Sequence, residues 1–175
     1  SLHSLGVIKK LYPSLHALHG VAQEFEWHPE GDVWIHTLMV VDAAADIARE
    51  NRLDDATKRI VMWAALCHDL GKPSTTSFER GRMRSKGHES AGEEPTREFF
   101  ENLGMDKTTT EKVARIVTDH LWPGVMYLQH NRGEPVTDGA FRRLARRIHP
   151  ATISELTHTA EADHRGRGHF LDPTH

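Results

Sequence analysis

Apolar residues recur along the chain at the three- and four-residue spacings of amphipathic α-helices, and no stretch shows a convincing β-strand alternation. These spacings predict an all-α domain of about seven helices. The helical segments lie at residues 5–18, with a break at Tyr12-Pro13, and at 32–52, 54–70, 89–103, 108–120, 138–148 and 152–164, with a further short helix at 122–129. Residues 74–87 are rich in Ser, Thr, Arg and Gly and predict either a small hairpin around Glu79-Arg80-Gly81 or a loop.

The segment that begins at Asp32 carries two adjacent apolar stripes, which predict a helix buried over most of its circumference. The first stripe consists of Trp34, Leu38, Val41, Ala45 and Ala48, and the second of Val33, Val40, Ala43 and Ile47. The next helix contains the continuous apolar run 60–67 and ends where glycine and proline follow Leu70. These two segments are therefore the predicted centre of the core.

Polar residues mark the starts of several predicted helices. Asp54 or Asp55 caps the helix that contains the apolar run. Capping boxes, in which a Thr and a Glu three residues later satisfy each other's backbone N–H groups, are predicted at Thr108 with Glu111 and at Thr152 with Glu155.

Length and composition limit the class of protein. The 175 residues predict a single domain over 1–175, and the absence of an initiator Met suggests a fragment or a stand-alone version of a larger architecture. The net charge of −3 excludes a strongly basic nucleic-acid-binding module but allows a local basic patch. An apolar run of eight residues is far short of the ~20 that span a bilayer, and we expect no signal peptide. The single cysteine, Cys67, excludes an internal disulfide and fits a cytoplasmic protein.

Histidine is the unusual residue type, with 14 in the chain, and it is the commonest metal ligand in proteins. His36 lies in the second stripe of the long helix, His68 and Asp69 end the most apolar helix, and His120 and Asp163 each close an apolar face of another helix. Taken alone, each could be a hydrogen-bonded core residue, and the histidine content could reflect an exposed, buffering surface. Together they predict a divalent metal in the core, because a cation satisfies buried imidazoles and carboxylates at once. Nitrogen and oxygen ligands without thiolate suit Mn, Fe, Ni, Mg or Zn.

The run Cys67-His68-Asp69-Leu70-Gly71-Lys72, with His36 upstream and Asp163 downstream, resembles the signature of the HD-domain metal-dependent phosphohydrolases. The resemblance implies an HD helical bundle in which His36, His68, Asp69 and Asp163 hold one metal ion.

Some branches of this family hold a second ion, with the aspartate of the His-Asp pair as the bridge. The segments Lys86-Gly87-His88-Glu89 and Thr118-Asp119-His120 occupy the corresponding places, so the resemblance implies that Asp69, His88 and His120 bind a second ion. The alternative for His88 is an exposed loop histidine. The expected cofactor is therefore one or two divalent ions.

A narrower resemblance covers residues 5–170 and rests on segments 27–37 and 161–167. These are similar to the HD region of bacterial tRNA nucleotidyltransferases and poly(A)-polymerase-like proteins. In those proteins a nucleotidyltransferase head precedes the region, and no Gly-Ser followed by paired aspartates marks one here, so nucleotide addition is not predicted. The resemblance implies phosphatase and 2′,3′-cyclic phosphodiesterase activity.

Three cationic residues are candidates for binding the substrate phosphate. Lys72 follows the His-Asp pair and is predicted to be catalytic beside Asp69, as a point charge on the phosphate. Arg165 and Arg167 flank Gly166 just after Asp163, and a guanidinium suits a phosphate group. All three could instead be solvated surface residues. His28 either lies in a second layer of residues behind the metal site or is a turn residue.

The leading hypothesis is a metal-dependent phosphohydrolase acting on phosphomonoesters or on cyclic, 2′,3′-type phosphodiesters of nucleotides. The first alternative is an HD arm of a tRNA nucleotidyltransferase-like protein, which binds RNA or nucleotide with a structural metal and without turnover. A second is a nucleotide-sensing regulatory domain. The expected partners are a small phosphoester or nucleotide, with tRNA for the binding arm and no membrane, and a homo-oligomer is compatible with the sequence.

Overall fold

The computed structural model describes residues 6–168, which form helices and one two-stranded antiparallel sheet. The helices are α1 (Val7–Leu11), α2 (Pro13–His16), α3 (Val33–Glu50), α4 (Asp55–Cys67), α5 (Lys72–Thr75), α6 (His88–Ala91), α7 (Glu93–Asn102), α8 (Lys107–Asp119), α9 (Trp122–Asn131), α10 (Asp138–Ile148) and α11 (Ile153–Arg165). The strands are β1 (Thr76–Glu79) and β2 (Arg82–Ser85), joined at Arg80-Gly81. The predicted helical class and the small hairpin are both confirmed.

The core lies between four helices near the middle of the fold. Helix α11 packs on α3 and α4, α3 packs on α4, and α8 packs on α4. The larger apolar cluster contains Val33, Phe100, Ile116 and Leu156, all without exposed surface, and a smaller cluster joins α3, α4 and α11. The most apolar segment of the sequence is therefore the central helix of the domain.

The two apolar stripes on α3 are buried to different extents. Val33, Val40 and Ile47 have no exposed surface, whereas Leu38 in the other stripe is 44% exposed. The prediction of burial over most of the circumference is wrong on that side, because α4 and α11 pack against the Val40 side and leave Leu38 at the surface.

Two predicted helix starts are confirmed. The Asp54 side chain accepts hydrogen bonds at the start of α4, and Thr152 and Glu155 form a complete capping box on α11. The capping box at Thr108 is wrong: Asp106 accepts from the backbone N–H of Thr109, and α8 begins two residues earlier than predicted. The predicted helix 89–103 is divided at Gly92 into α6 and α7.

Two glycines permit close contacts between segments near the predicted metal ligands. A Cβ on Gly71 would lie 2.0 Å from the carbonyl oxygen of His88, so only glycine lets α6 approach the end of α4. A Cβ on Gly166 would lie 2.5 Å from Cγ2 of Val40, which holds the end of α11 against α3. None of the helices described between residues 6 and 168 has both the length and the apolar content needed to cross a bilayer.

Candidate metal centre

All six predicted metal ligands lie together, at or near helix ends, in the centre of the fold. They are His36 in the first turn of α3, His68 and Asp69 directly after α4, His88 at the start of α6, His120 directly after α8, and Asp163 in the last turn of α11. All six side chains are buried. The buried helix faces thus converge on a common centre, as their periodicity predicts.

Two carboxylates and two imidazoles form the first cluster. His36 Nε2 lies 3.1 Å from Asp163 Oδ1 and 3.8 Å from Asp69 Oδ2. His68 Nε2 lies 3.1 Å from Asp69 Oδ2 and 3.9 Å from Asp163 Oδ1. Two nitrogen and two oxygen atoms therefore surround one small volume, which is a ligand set for a divalent transition metal.

A second cluster adjoins the first and shares Asp69 with it. His88 Nε2 lies 3.4 Å from Asp69 Oδ1, the carboxylate oxygen that faces away from the first cluster. The rings of His88 and His120 have centroids 5.3 Å apart, and ligand atoms of Asp69, His88 and His120 all lie within 4.8 Å of one another. Asp69 is thus placed between the two clusters, with one oxygen toward each.

The ring orientations of three histidines are fixed by the backbone. The Nδ1 atoms of His68, His88 and His120 lie 2.8, 2.8 and 2.7 Å from the carbonyl oxygen three residues earlier in the chain. Because a carbonyl only accepts, Nδ1 carries the hydrogen, and in the neutral ring Nε2 then presents its lone pair. This arrangement is typical of metal-ligating histidines.

His36 is oriented by a carboxylate instead of a carbonyl. Its Nδ1 lies 2.7 Å from Glu30 Oε1, and the same oxygen is 2.9 Å from Nδ1 of His28. Burial opposes the charge on His36, but hydrogen bonds with Asp163 and Glu30 outweigh it and raise the pKa of this imidazole to about 9. Burial also opposes ionisation of Glu30, yet its hydrogen bonds to the two histidines lower the pKa to about 2.

One buried atom shows that these residues fit a cation. His68 Nε2 has no hydrogen-bond partner among the described residues, although Asp69 Oδ2 is only 3.1 Å away. When the His68 ring is neutral and its Nδ1–H is held by a carbonyl, both facing atoms offer lone pairs, and two acceptors at this distance repel each other. A divalent ion between them converts the repulsion into two ligand bonds, so the donor set fits a metal.

Charges around the centre favour the ligand forms of two further side chains. Burial raises the energy of the Asp69 carboxylate, but His68 and Lys72 hold its pKa well below the ordinary 3.8. Burial, together with His68 and His88, lowers the pKa of His120 to about 3. An ionised aspartate and a neutral imidazole are the forms that bind a metal.

A pocket of about 310 Å³ opens onto the centre, and it is lined by Asp69, His88, His120 and Asp163 among others. Two cations also line it. Lys72 Nζ lies 2.8 Å from Asp69 Oδ2 and donates to Gln23 Oε1 at 2.7 Å, and Arg167 Nη2 donates to Asp163 Oδ2 at 3.1 Å.

The structure does not bring Arg165 to the pocket. Its guanidinium pairs with Glu50 at 2.8 Å and with Glu161 at 2.6 Å, on the outer side of α11. This position gives no support to the expectation that Arg165 binds substrate, because residues two apart on a helix point in very different directions. Arg167 follows Asp163 by four residues and lies on the same side as Asp163.

Sequence reasoning missed Gln23 and did not assign a role to Glu30. Both lie in the segment between α2 and α3, where no periodicity reveals which side chains turn inward. The one available signal for Glu30 was His28, two residues earlier and a candidate for the layer behind the metal site. The ring centroids of His28 and His36 are 4.6 Å apart.

Comparisons with known proteins agree with this geometry. The family model of the HD domain matches residues 33–160. The Multifunctional CCA protein of Xanthomonas campestris pv. campestris (strain B100) is 34% identical over 172 residues, covering 95% of this chain and 38% of that protein. The protein of the same name from Xylella fastidiosa (strain M23) is 32% identical over 177 residues, 97% of this chain and 38% of that protein.

A third relative aligns over a shorter stretch. The Multifunctional CCA protein of Haemophilus influenzae (strain PittGG) is 38% identical over 103 residues, covering 59% of this chain and 24% of that protein. The chain thus spans less than two fifths of the length of these relatives.

Proposed function

This chain belongs to the HD-domain family, a superfamily of metal-dependent phosphohydrolases, and from that membership we propose that it hydrolyses phosphoesters of nucleotides. The substrates are phosphomonoesters or cyclic, 2′,3′-type phosphodiesters. One observation carries the proposal: Asp69 stands between two clusters of ligand atoms at the floor of a pocket that also contains Lys72 and Arg167.

His36, His68, Asp69 and Asp163 are the proposed ligands of one ion, and Asp69, His88 and His120 those of a second. A bound divalent ion screens the negative charge of a phosphoester and lowers the pKa of a coordinated water. The ligand set is rich in imidazole, which favours manganese, nickel, iron or zinc over magnesium.

The remaining groups of the pocket act on the substrate or hold the ligands. Among residues 6–168 the Arg167 guanidinium donates to Asp163 through Nη2 alone, so Nη1 can donate to a phosphoryl oxygen. Lys72 balances the charge of Asp69 and adds positive charge near the phosphate. The Glu30 carboxylate, 2.7 Å from His36 Nδ1, keeps the His36 ring in place. Asp69 is the proposed catalytic carboxylate, because it alone contacts both clusters.

The similarity to Multifunctional CCA proteins supports a second candidate function. In this alternative the chain corresponds to an HD arm that binds tRNA or a nucleotide, and the metal is structural. The two candidates differ in turnover and agree on metal binding, so the decisive measurement is hydrolysis by metal-loaded protein.

The test uses dialysed protein with manganese, nickel or magnesium, assayed against p-nitrophenyl phosphate and 2′,3′-cyclic AMP, with metal content determined by elemental analysis. We expect turnover that chelation abolishes and metal restores. Chelation should also lower the melting temperature, because the ion binds only the folded state. A folded protein that loads metal and hydrolyses neither substrate would leave the binding arm as the better account.

A further inference from the structure

The pocket above the metal centre has two chemically different sides. We call the charged part of its lining the floor, which consists of the candidate metal ligands with Lys72 and Arg167, and the apolar part the wall, which includes Trp27, Met83 and Leu121. Trp27 is 49% exposed and Leu121 is 36% exposed. A tryptophan half open to solvent in a charged pocket offers an aromatic face that a ligand can cover.

The segment that carries Trp27 is fastened in place. The backbone N–H of Trp27 donates to the carbonyl of Glu24 at 3.0 Å, and the Glu24 side chain accepts from the backbone N–H of Met83 at 2.9 Å. Glu26 pairs with Arg82 at 3.0 Å. The loop before α3 is thus joined to the β1–β2 hairpin, and the backbone of Trp27 is held in a defined position before any ligand arrives.

These two sides match a ligand with an anionic group at one end and a flat apolar ring at the other. A nucleobase stacks on an aromatic side chain with about 1–3 kcal/mol per base, and a phosphate pairs with Lys and Arg. The volume of about 310 Å³ lies at the lower end of the ~300–1,000 Å³ typical of ligand pockets, which is room for one nucleotide.

We propose that Trp27 is the base-stacking residue of this site, so that the pocket selects nucleoside phosphoesters over phosphoesters without a base. The proposal deepens the phosphohydrolase function and rests on it for the position of the phosphate. Trp27 has no part in the chemical step and determines which substrates reach it.

The test measures binding without turnover, by calorimetric titration of manganese-loaded protein. The probes are the non-hydrolysable phosphonate analogues of AMP and of ribose 5-phosphate, which differ only in the base. In wild type we expect the AMP analogue to bind about 5- to 150-fold more tightly, the equivalent of the stacking energy. Trp27→Ala should weaken the AMP analogue to nearly the affinity of the ribose analogue, while the ribose analogue is unaffected.

Two variants control for non-specific effects. Trp27→Phe should keep most of the preference for the base, because an aromatic face remains. Phe25→Ala removes another exposed aromatic side chain, 76% exposed in the same loop but outside the pocket lining, and should leave both affinities unchanged.

Equal binding of the two analogues by wild type would overturn the proposal, as would an equal loss of both in Trp27→Ala. A loss in Phe25→Ala matching that in Trp27→Ala would also overturn it. Hydrolysis of 2′,3′-cyclic AMP is measured separately, so failure of the base-stacking proposal can be distinguished from failure of the phosphohydrolase proposal. A protein that prefers the AMP analogue through Trp27 but hydrolyses nothing retains this site and loses only the proposed reaction.

Discussion

The floor and the wall of the pocket are built from different parts of the molecule. The proposed metal ligands of the floor stand at the ends of helices whose other faces pack in the core, so their positions are fixed by the fold itself. The wall comes from the loop before α3 and from the β1–β2 hairpin, which are held by a few polar contacts such as that between Glu24 and Met83. Leu121, at the start of α9, completes it.

The two regions therefore differ in how well they tolerate substitution. Groups that perform chemistry must keep their geometry, and rigid elements supply it. Groups that select a substrate can vary on joining segments without disturbing the core. Substitutions in the floor should therefore change metal binding and turnover by large factors, and substitutions in the joining segments should produce smaller and more specific effects.

Asp69→Asn should produce the largest effect of any single change. It keeps the shape of the side chain but removes the charge shared by both clusters, and turnover of 2′,3′-cyclic AMP should fall at least ~100-fold at saturating manganese. Steady-state kinetics with parallel metal analysis separates lost chemistry from lost affinity.

The Asp69→Asn variant also leaves the Lys72 ammonium, which is 7% exposed, without its anionic partner. The double variant Asp69→Asn, Lys72→Gln removes this unpaired buried charge and should be as inactive as Asp69→Asn. Asp42→Asn, on the exposed side of α3, is the matched control and should be fully active. Near-wild-type turnover by folded Asp69→Asn protein would refute the hydrolase mechanism.

His88→Ala and His120→Ala test whether the second cluster holds its own ion. Each variant should contain less metal than wild type while the site of His36, His68 and Asp163 stays loaded, because the two clusters share only Asp69. Elemental analysis after dialysis measures this, with His130→Ala on the exposed surface of α9 as the control. Wild-type metal content in both site variants would show that the two histidines are not ligands.

Glu30→Gln tests the contribution of a loop residue to the floor. The amide has no charge to stabilise the ring orientation of His36, and outer carboxylates of this kind contribute about 10–100-fold to metal affinity. Competition with a chelator of known affinity measures the change. Glu26 in the same loop pairs with the hairpin residue Arg82 and with no metal-site residue among those described, so Glu26→Gln should keep wild-type affinity. Equal affinities for wild type and Glu30→Gln would leave Glu30 without a role at the metal.

Arg167→Gln and Arg165→Gln form a matched pair, two residues apart. Loss of a charge-assisted hydrogen bond to the phosphate should raise KM about tenfold in Arg167→Gln. Arg165→Gln should leave KM unchanged, since Arg165 pairs with Glu50 and Glu161 outside the pocket. The kinetics are run at saturating metal, because Arg167 also contacts Asp163. A higher KM in the Arg165 variant would contradict the assignment.

The floor of the site could be predicted from the sequence because helical periodicity is a local signal. His36 falls in register with Val33 and Val40, and that register alone places it on a buried face. The wall could not be predicted, because the loop before α3 has no period. The contact between Gln23 and Lys72 joins residues 49 positions apart and exists only once the helices have packed.

The sequence alone favours Arg167 over Arg165 as the residue that faces the pocket. Residues four apart lie on the same side of a helix, and Arg167 is four residues beyond Asp163. The two arginines look equivalent in the sequence because both flank Gly166. In the structure the backbone N–H of Gly166 still donates to the carbonyl of Ala162, so the helical direction persists beyond Arg165.

The smallest expected effect concerns the start of α8, where several consecutive polar residues compete to be the cap. Asp106 accepts from the backbone N–H of Thr109 at 2.9 Å, so Asp106→Ala should lower the melting temperature by about 2–4 °C, and Thr108→Ala should change it far less. Hydrogen bonds from Thr109 hold the pKa of Asp106 below its ordinary 3.8. The advantage of wild type over Asp106→Ala should therefore be complete above pH 3.8 and disappear as the pH falls through the lower pKa of the folded state. Thermal melts of the three proteins across this range measure the difference, and a larger loss in Thr108→Ala would restore the capping box that the sequence suggests.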